Sequence, residues 1–181
     1  MKQKKEIYDI LQKNKSEYTE SEREDIAEKV AIGAVKYSFL RVSTQQEIAF
    51  DLKESVSFDG NSGPYIQYVY ARTQSVLVKA GTKIRNSQLI INSLEPEERE
   101  LLRLLSRFEE VVAEAAERFA PNIVCNYLFE LAQSFNLFYQ KCPILKAEEN
   151  IRDFRLALTV ATGDVTKKGL NLLGIQAPVK M

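Results

Sequence analysis

Tyr65, Tyr68, Arg72, Ser75 and Lys79 follow one another at intervals of three, four, three and four residues. On an α-helix that spacing gathers them into one arc. Aromatic faces interleaved with cations suit an unstacked nucleic-acid base, because rings stack on bases while Arg and Lys hold phosphates. The same arc could equally be boundary packing beneath a neighbouring helix. A second arc, Asn126, Phe129, Gln133, Asn136 and Gln140, carries no charge. Side-chain amides read base edges bidentately, so Asn136 is a candidate base reader. The alternative is a second interhelical contact.

Other chemistries are excluded by what the chain lacks. It has no histidine, which removes His general bases, Ser-His-Asp and Cys-His pairs, and most zinc sites. None of its seven glycines falls in a phosphate-cradling spacing. Cys125 and Cys142, placed on one helix, would stand about 25 Å apart, too far for a disulfide. They read as buried thiols. No carboxylate or lysine pair stands out as catalytic, so no catalytic residue, cofactor site or metal site is expected.

The elements that must position these arcs are helical. Periodicity predicts helices over 3–14 and 21–41, the second capped by Ser21 with Glu24 in a capping box. Residues 42–63 are irregular, with a short strand or turn around Ile48–Phe50 and a short helix near Asp51–Ser57. A helix over 64–80 starts with Pro64 in its first turn and stops at Gly81. On its wheel Ile66, Val69, Tyr70, Thr73, Val76, Leu77 and Ala80 form the core stripe. Further helices are predicted over 95–106, capped by Ser93, and over 107–119, 122–141 and 148–173. The apolar stripe of the helix over 122–141 is Ile123, Val124, Tyr127, Leu128, Leu131, Phe135 and Phe138. The expected fold is all-α: a helical connector over 1–63, then a helical bundle over 64–181.

Charge is segregated although 25 cations balance 25 acids. No acid lies between Asp59 and Glu95, a span that holds Arg72, Lys79, Lys83 and Arg85. Eight glutamates crowd residues 95–117. A neutral total argues against indiscriminate nucleic-acid binding and leaves room for a local basic surface. With a polar start and no apolar run of membrane length, the chain is expected to be cytoplasmic, without a membrane partner.

The segment GNSGPYIQYVYAR (60–72) resembles the Gly-x-x-Gly-Pro-Tyr-hydrophobic-Gln-Tyr-x-x-x-Arg signature of arginyl-tRNA synthetases, where catalytic and anticodon-binding domains join. Upstream, AIGAVKYSFLRVS and AFDLKESVSFDG resemble the approach to that junction. Downstream, NYLFELAQSFNLFYQKCPIL and FRLALTVATGDVTKKGLNLLGIQAP resemble the DALR-type anticodon-binding domain of the family. The resemblance runs from about 30 to 181.

It implies a helical bundle of the class I synthetase anticodon-binding type. It also implies a piece of a longer ligase, starting soon after the Lys-Met-Ser-Lys-Ser-like loop, with Met1 an artificial start, the alternative being a natural free-standing paralogue. The His-Ile-Gly-His motif is absent, so ATP and arginine would bind elsewhere and this chain alone would not be an enzyme. The implied partner is the anticodon stem-loop of tRNA-Arg, bound by a monomer, with no DNA partner. The implied tRNA-binding positions are Tyr65, Tyr68, Arg72 and Met181, to which the two arcs add Lys79 and Asn136. Two departures stand out: Val69-Tyr70 replaces a small residue and a histidine, and Pro178-Val179-Lys180-Met181 replaces Pro-Glu-Arg-Met. A helical protein-interaction module is the alternative, since Tyr and Arg also favour interface hot spots. A complete small enzyme is disfavoured for want of a catalytic constellation.

Overall fold

The computed structural model describes residues 18–48, 51–81 and 93–181. Seven helices occur among them and no strand: α1 (Glu20–Leu40), α2 (Leu52–Ser55), α3 (Gly63–Ala80), α4 (Pro96–Ser106), α5 (Phe108–Glu117), α6 (Pro121–Lys141) and α7 (Glu149–Leu172). The helix expected over 3–14, residues 49 and 50 of the expected strand or turn, and Lys83 and Arg85 lie outside the described residues. Ile48 is in neither helix nor strand.

Local chemistry sets the helix ends. Thr19, not Ser21, caps α1: its hydroxyl accepts from Glu22 N while Glu22 reaches back to Thr19 N at 2.8 Å. Thr19-x-x-Glu22 and Ser21-x-x-Glu24 both satisfy the capping-box pattern, and the frame two residues earlier is the one used. Likewise Glu95, not Ser93, caps α4, because Pro96 takes the first helical position that its missing N–H favours. Ser62 caps α3 through Tyr65 N, and Gly81 ends it at φ 69°, a left-handed turn that a side chain would strain.

The long helix α3 packs against α7, α1 and α6, and so stands at the centre of the molecule. Its predicted core stripe is inside: Ile66, Val69, Tyr70, Thr73 and Val76 are buried, with Leu77 and Ala80 partly so. They join Leu101, Leu104, Leu128, Leu131, Phe135, Phe138 and Leu170 in the main core, or lie beside it. Burying a side chain of that size contributes about 1.5–3 kcal/mol. Where α1 crosses α3 the backbones nearly touch. A Cβ on Gly63 would stand 2.7 Å from the Gly33 carbonyl oxygen. A smaller cluster built on Ile26, Ala27, Val30, Ala31, Ala34 and Val56 lies under α1. The carboxy-terminal tail folds back across this crossing: buried Gln67 donates to the Gln176 carbonyl at 2.7 Å, and Lys36 donates to the Gly174 carbonyl.

Candidate functional site

The site begins with the polar arc of α3. Ile66, Val69 and Thr73 point inward, and helical geometry therefore turns Tyr65, Tyr68, Arg72, Ser75 and Lys79 toward α6 and the surface. Tyr65, Tyr68 and Arg72 are half-buried, while Ser75 and Lys79 are exposed.

Arg72 is the centre. It donates from one terminal nitrogen to Asn136 Oδ1 at 2.6 Å and from the other to the Tyr68 hydroxyl at 2.9 Å. Its guanidinium carbon lies 4.7 Å from the Tyr68 ring centroid and 5.1 Å from that of Tyr139. Two aromatic faces and two acceptors therefore fix the plane of the cation. Asn136 in turn donates from Nδ2 to the Tyr65 hydroxyl at 2.8 Å. The Tyr65 ring meets Phe129 edge-on at 5.8 Å.

Four of the six expected tRNA-binding residues, Tyr65, Tyr68, Arg72 and Asn136, thus form one connected cluster. Each end of the Asn136 amide makes one hydrogen bond inside the protein, which ties the residue to Arg72 and Tyr65. Phe129 is likewise a packing partner, the interhelical alternative for that arc. Asn126, Gln133 and Gln140 are exposed. Lys79 lies along the same helix at the mouth of an open cleft of about 290 Å³. Met181 does not join the cluster: like Tyr18 and Phe58, it packs against the small apolar cluster under α1.

Sequence reasoning missed two parts of this surface. Tyr139, 42% exposed, supplies the second face against Arg72. Its position three residues beyond Asn136 was the available signal. The turn Pro143–Lys146 forms the far wall of the cleft, opposite Arg72, Ser75, Val76 and Lys79. Lys146 faces that cleft exposed, and neither it nor Lys79 makes an ion pair among the described residues. One arginine, two lysines and one tyrosine, Tyr139, line a concavity without an acidic residue in its lining, and the Tyr68 ring packs against that arginine. Such a surface attracts phosphate and offers rings to a flat ligand.

The rest of the molecule holds less chemistry. Burial pushes the Cys125 thiol up to about 12 and also raises Cys142. Both are buried free thiols. No group of three or more His, Cys, Asp or Glu among the described residues could hold a metal ion. No helix among them is long and apolar enough to cross a membrane.

Comparison with known proteins places the chain in a family. Residues 66–181 match the DALR anticodon binding domain. The arginine–tRNA ligase of Bdellovibrio bacteriovorus is 46% identical over 176 residues, covering 94% of this chain and 30% of that protein. That of Pyrococcus furiosus is 40% identical over 179 residues, covering 95% of this chain and 28% of that protein. The solved Thermus thermophilus arginyl-tRNA synthetase superposes with a TM-score of 0.92 at 34% identity, over 99% of this chain and 31% of that one. This chain spans less than a third of the length of these relatives. With all but the first turn of α3 and every later helix inside the matched span, the chain belongs to the DALR anticodon binding domain family.

Proposed function

We propose that this chain binds the anticodon stem-loop of tRNA-Arg through the α3–α6 face, as one part of an arginine–tRNA ligase. One observation carries the reading: Arg72 is held flat between the Tyr68 and Tyr139 rings, at the edge of a cleft rimmed by Lys79 and Lys146. Among the described residues only two of its five guanidinium donors are engaged, which leaves the others for phosphate oxygens or a base edge. Tyr139 and Tyr68 supply stacking surface. Lys79 and Lys146 supply phosphate contacts. Tyr65 and Asn136 support Arg72 from behind. Met181 packs against the apolar cluster under α1 rather than on this face.

The aminoacylation chemistry of the longer ligase, with its ATP and arginine sites, lies outside this chain in the same reading. A gel shift with tRNA-Arg against a second tRNA tests it. Preferential retardation of tRNA-Arg, lost in Arg72→Ala, is the expected result. Equal retardation of both, or none of either, overturns it.

A further inference from the structure

The far wall of the cleft is a turn, and a buried ion pair holds it. Arg155 on α7 donates from Nε to Glu98 Oε1 at 2.7 Å and from a terminal nitrogen to the Pro143 carbonyl at 2.8 Å. The two side chains are only 11% and 3% exposed. Glu98 is itself fixed, since its other oxygen accepts from Glu95 N at 2.9 Å at the start of α4. Three segments therefore meet at one guanidinium: the first turn of α4, the second turn of α7 and the turn after α6.

Stability alone is a poor explanation for this pair. Moving two charges out of water costs about as much as their attraction returns, and packed apolar side chains often serve as well or better. Leu101, Leu104, Leu156 and Leu158 already fill the core around α4 and α7. A directional fork does what apolar packing cannot. It aims one donor at a fixed carboxylate and another at one particular backbone carbonyl, geometry that lysine cannot copy. That carbonyl belongs to the first residue of the wall Pro143–Lys146.

We infer that Arg155, locked by Glu98, is a positioning residue for nucleic-acid binding: it sets where the Pro143–Lys146 turn stands over Arg72 and Tyr139, and with it the cleft that receives the ligand. The inference rests on the tRNA reading above. Arg155 does not touch the ligand and acts through the turn.

The test separates position from stability. Leu145, 39% exposed on the cleft wall, is replaced by cysteine and labelled with a trifluoromethyl group. Cys125 and Cys142, at 0% and 2% exposed, are shielded from the label. The fluorine resonance then reports the turn without any RNA present. The double variant Glu98→Met/Arg155→Met replaces the pair by apolar groups and is expected to melt near the parent. Arg155→Lys serves as the second variant, folded with its charge still beside Glu98. In both, the resonance should shift or broaden. Affinity for tRNA-Arg should fall roughly tenfold, as when one charge-assisted hydrogen bond no longer orders a binding wall. An unchanged resonance overturns the inference whatever the RNA does. A shifted resonance with unchanged affinity overturns it too. Affinities are titrated on the proteins that keep Leu145, and a parent of that kind that binds no tRNA-Arg overturns the tRNA reading itself, and the role inferred for Arg155 with it.

Discussion

Tyr68 and Tyr70 sit two residues apart on α3 and should answer to different assays when each is cut to alanine. Tyr70 is 4% exposed on the core face. Truncating a buried aromatic costs about 3–5 kcal/mol of folding stability. For a chain of this length that lowers the melting temperature by about 6–20 °C, at roughly 2–4 °C per kcal/mol. Tyr68 is half-buried and loses two things: the hydroxyl that accepts from Arg72 at 2.9 Å, and the ring 4.7 Å from the guanidinium carbon. Those contribute about 0.5–1.5 and about 0.5–1 kcal/mol respectively. Tyr68→Ala should therefore melt about 2–10 °C below the parent, the less affected of the two. Its binding deficit should be the larger, about 1–3 kcal/mol if it stacks one base, or roughly 5- to 150-fold in affinity. Circular-dichroism melts and tRNA-Arg titrations on both variants read out the two effects. If Tyr68→Ala melts as low as Tyr70→Ala, the tyrosine face is core. If it melts higher yet binds like the parent, Tyr68 only props up Arg72.

Three further outcomes follow from the same geometry. Arg72, Lys79 and Lys146 contacting single-stranded phosphates should give a log–log salt slope of roughly −2, at about −0.7 per phosphate, and a flat response would remove the basic cleft from the account. With burial raising both thiols, Cys125 and Cys142 should resist Ellman's reagent at pH 8 in the native state and both react in denaturant; fast native labelling would contradict their burial. With no histidine, the melting temperature should stay flat from pH 8 to about 5. The backbone and side chain of Thr19 hold Glu22 below the usual carboxylate range, as hydrogen bonds from Lys141 and Arg103 hold Glu97 and Glu100. Depressed carboxylates stabilise above their unfolded value of about 4.3, so stability should fall as pH drops through and below that range. A fall beginning above pH 6 would contradict this.

The sequence made the face of α3 legible because two periodicities overlap there without conflict. Apolar residues recur on one stripe and Tyr65, Tyr68, Arg72 and Lys79 on another, with Pro64 and Gly81 marking the ends. Caps were less legible, since Thr19 and Ser21 offer overlapping frames of one pattern and only tertiary packing selects between them. Asn136 was legible as a candidate site residue, but its hydrogen bonds to Arg72 and Tyr65 on another helix were not. The cleft wall was hidden altogether. Pro143–Lys146 is placed by Arg155 and Glu98, and Glu98 looks in sequence like one more solvated glutamate among eight. Such pairings cross 57 residues of chain and leave no periodic trace.

A competition titration tests the central claim most directly. Fluorescent tRNA-Arg is bound to the chain and challenged with its isolated anticodon stem-loop, its acceptor minihelix, and an unrelated tRNA. The account predicts displacement by the anticodon stem-loop at concentrations within roughly tenfold of intact tRNA-Arg, with the other two weaker by at least that factor. Displacement by the acceptor minihelix, or equal displacement by all competitors, would contradict it.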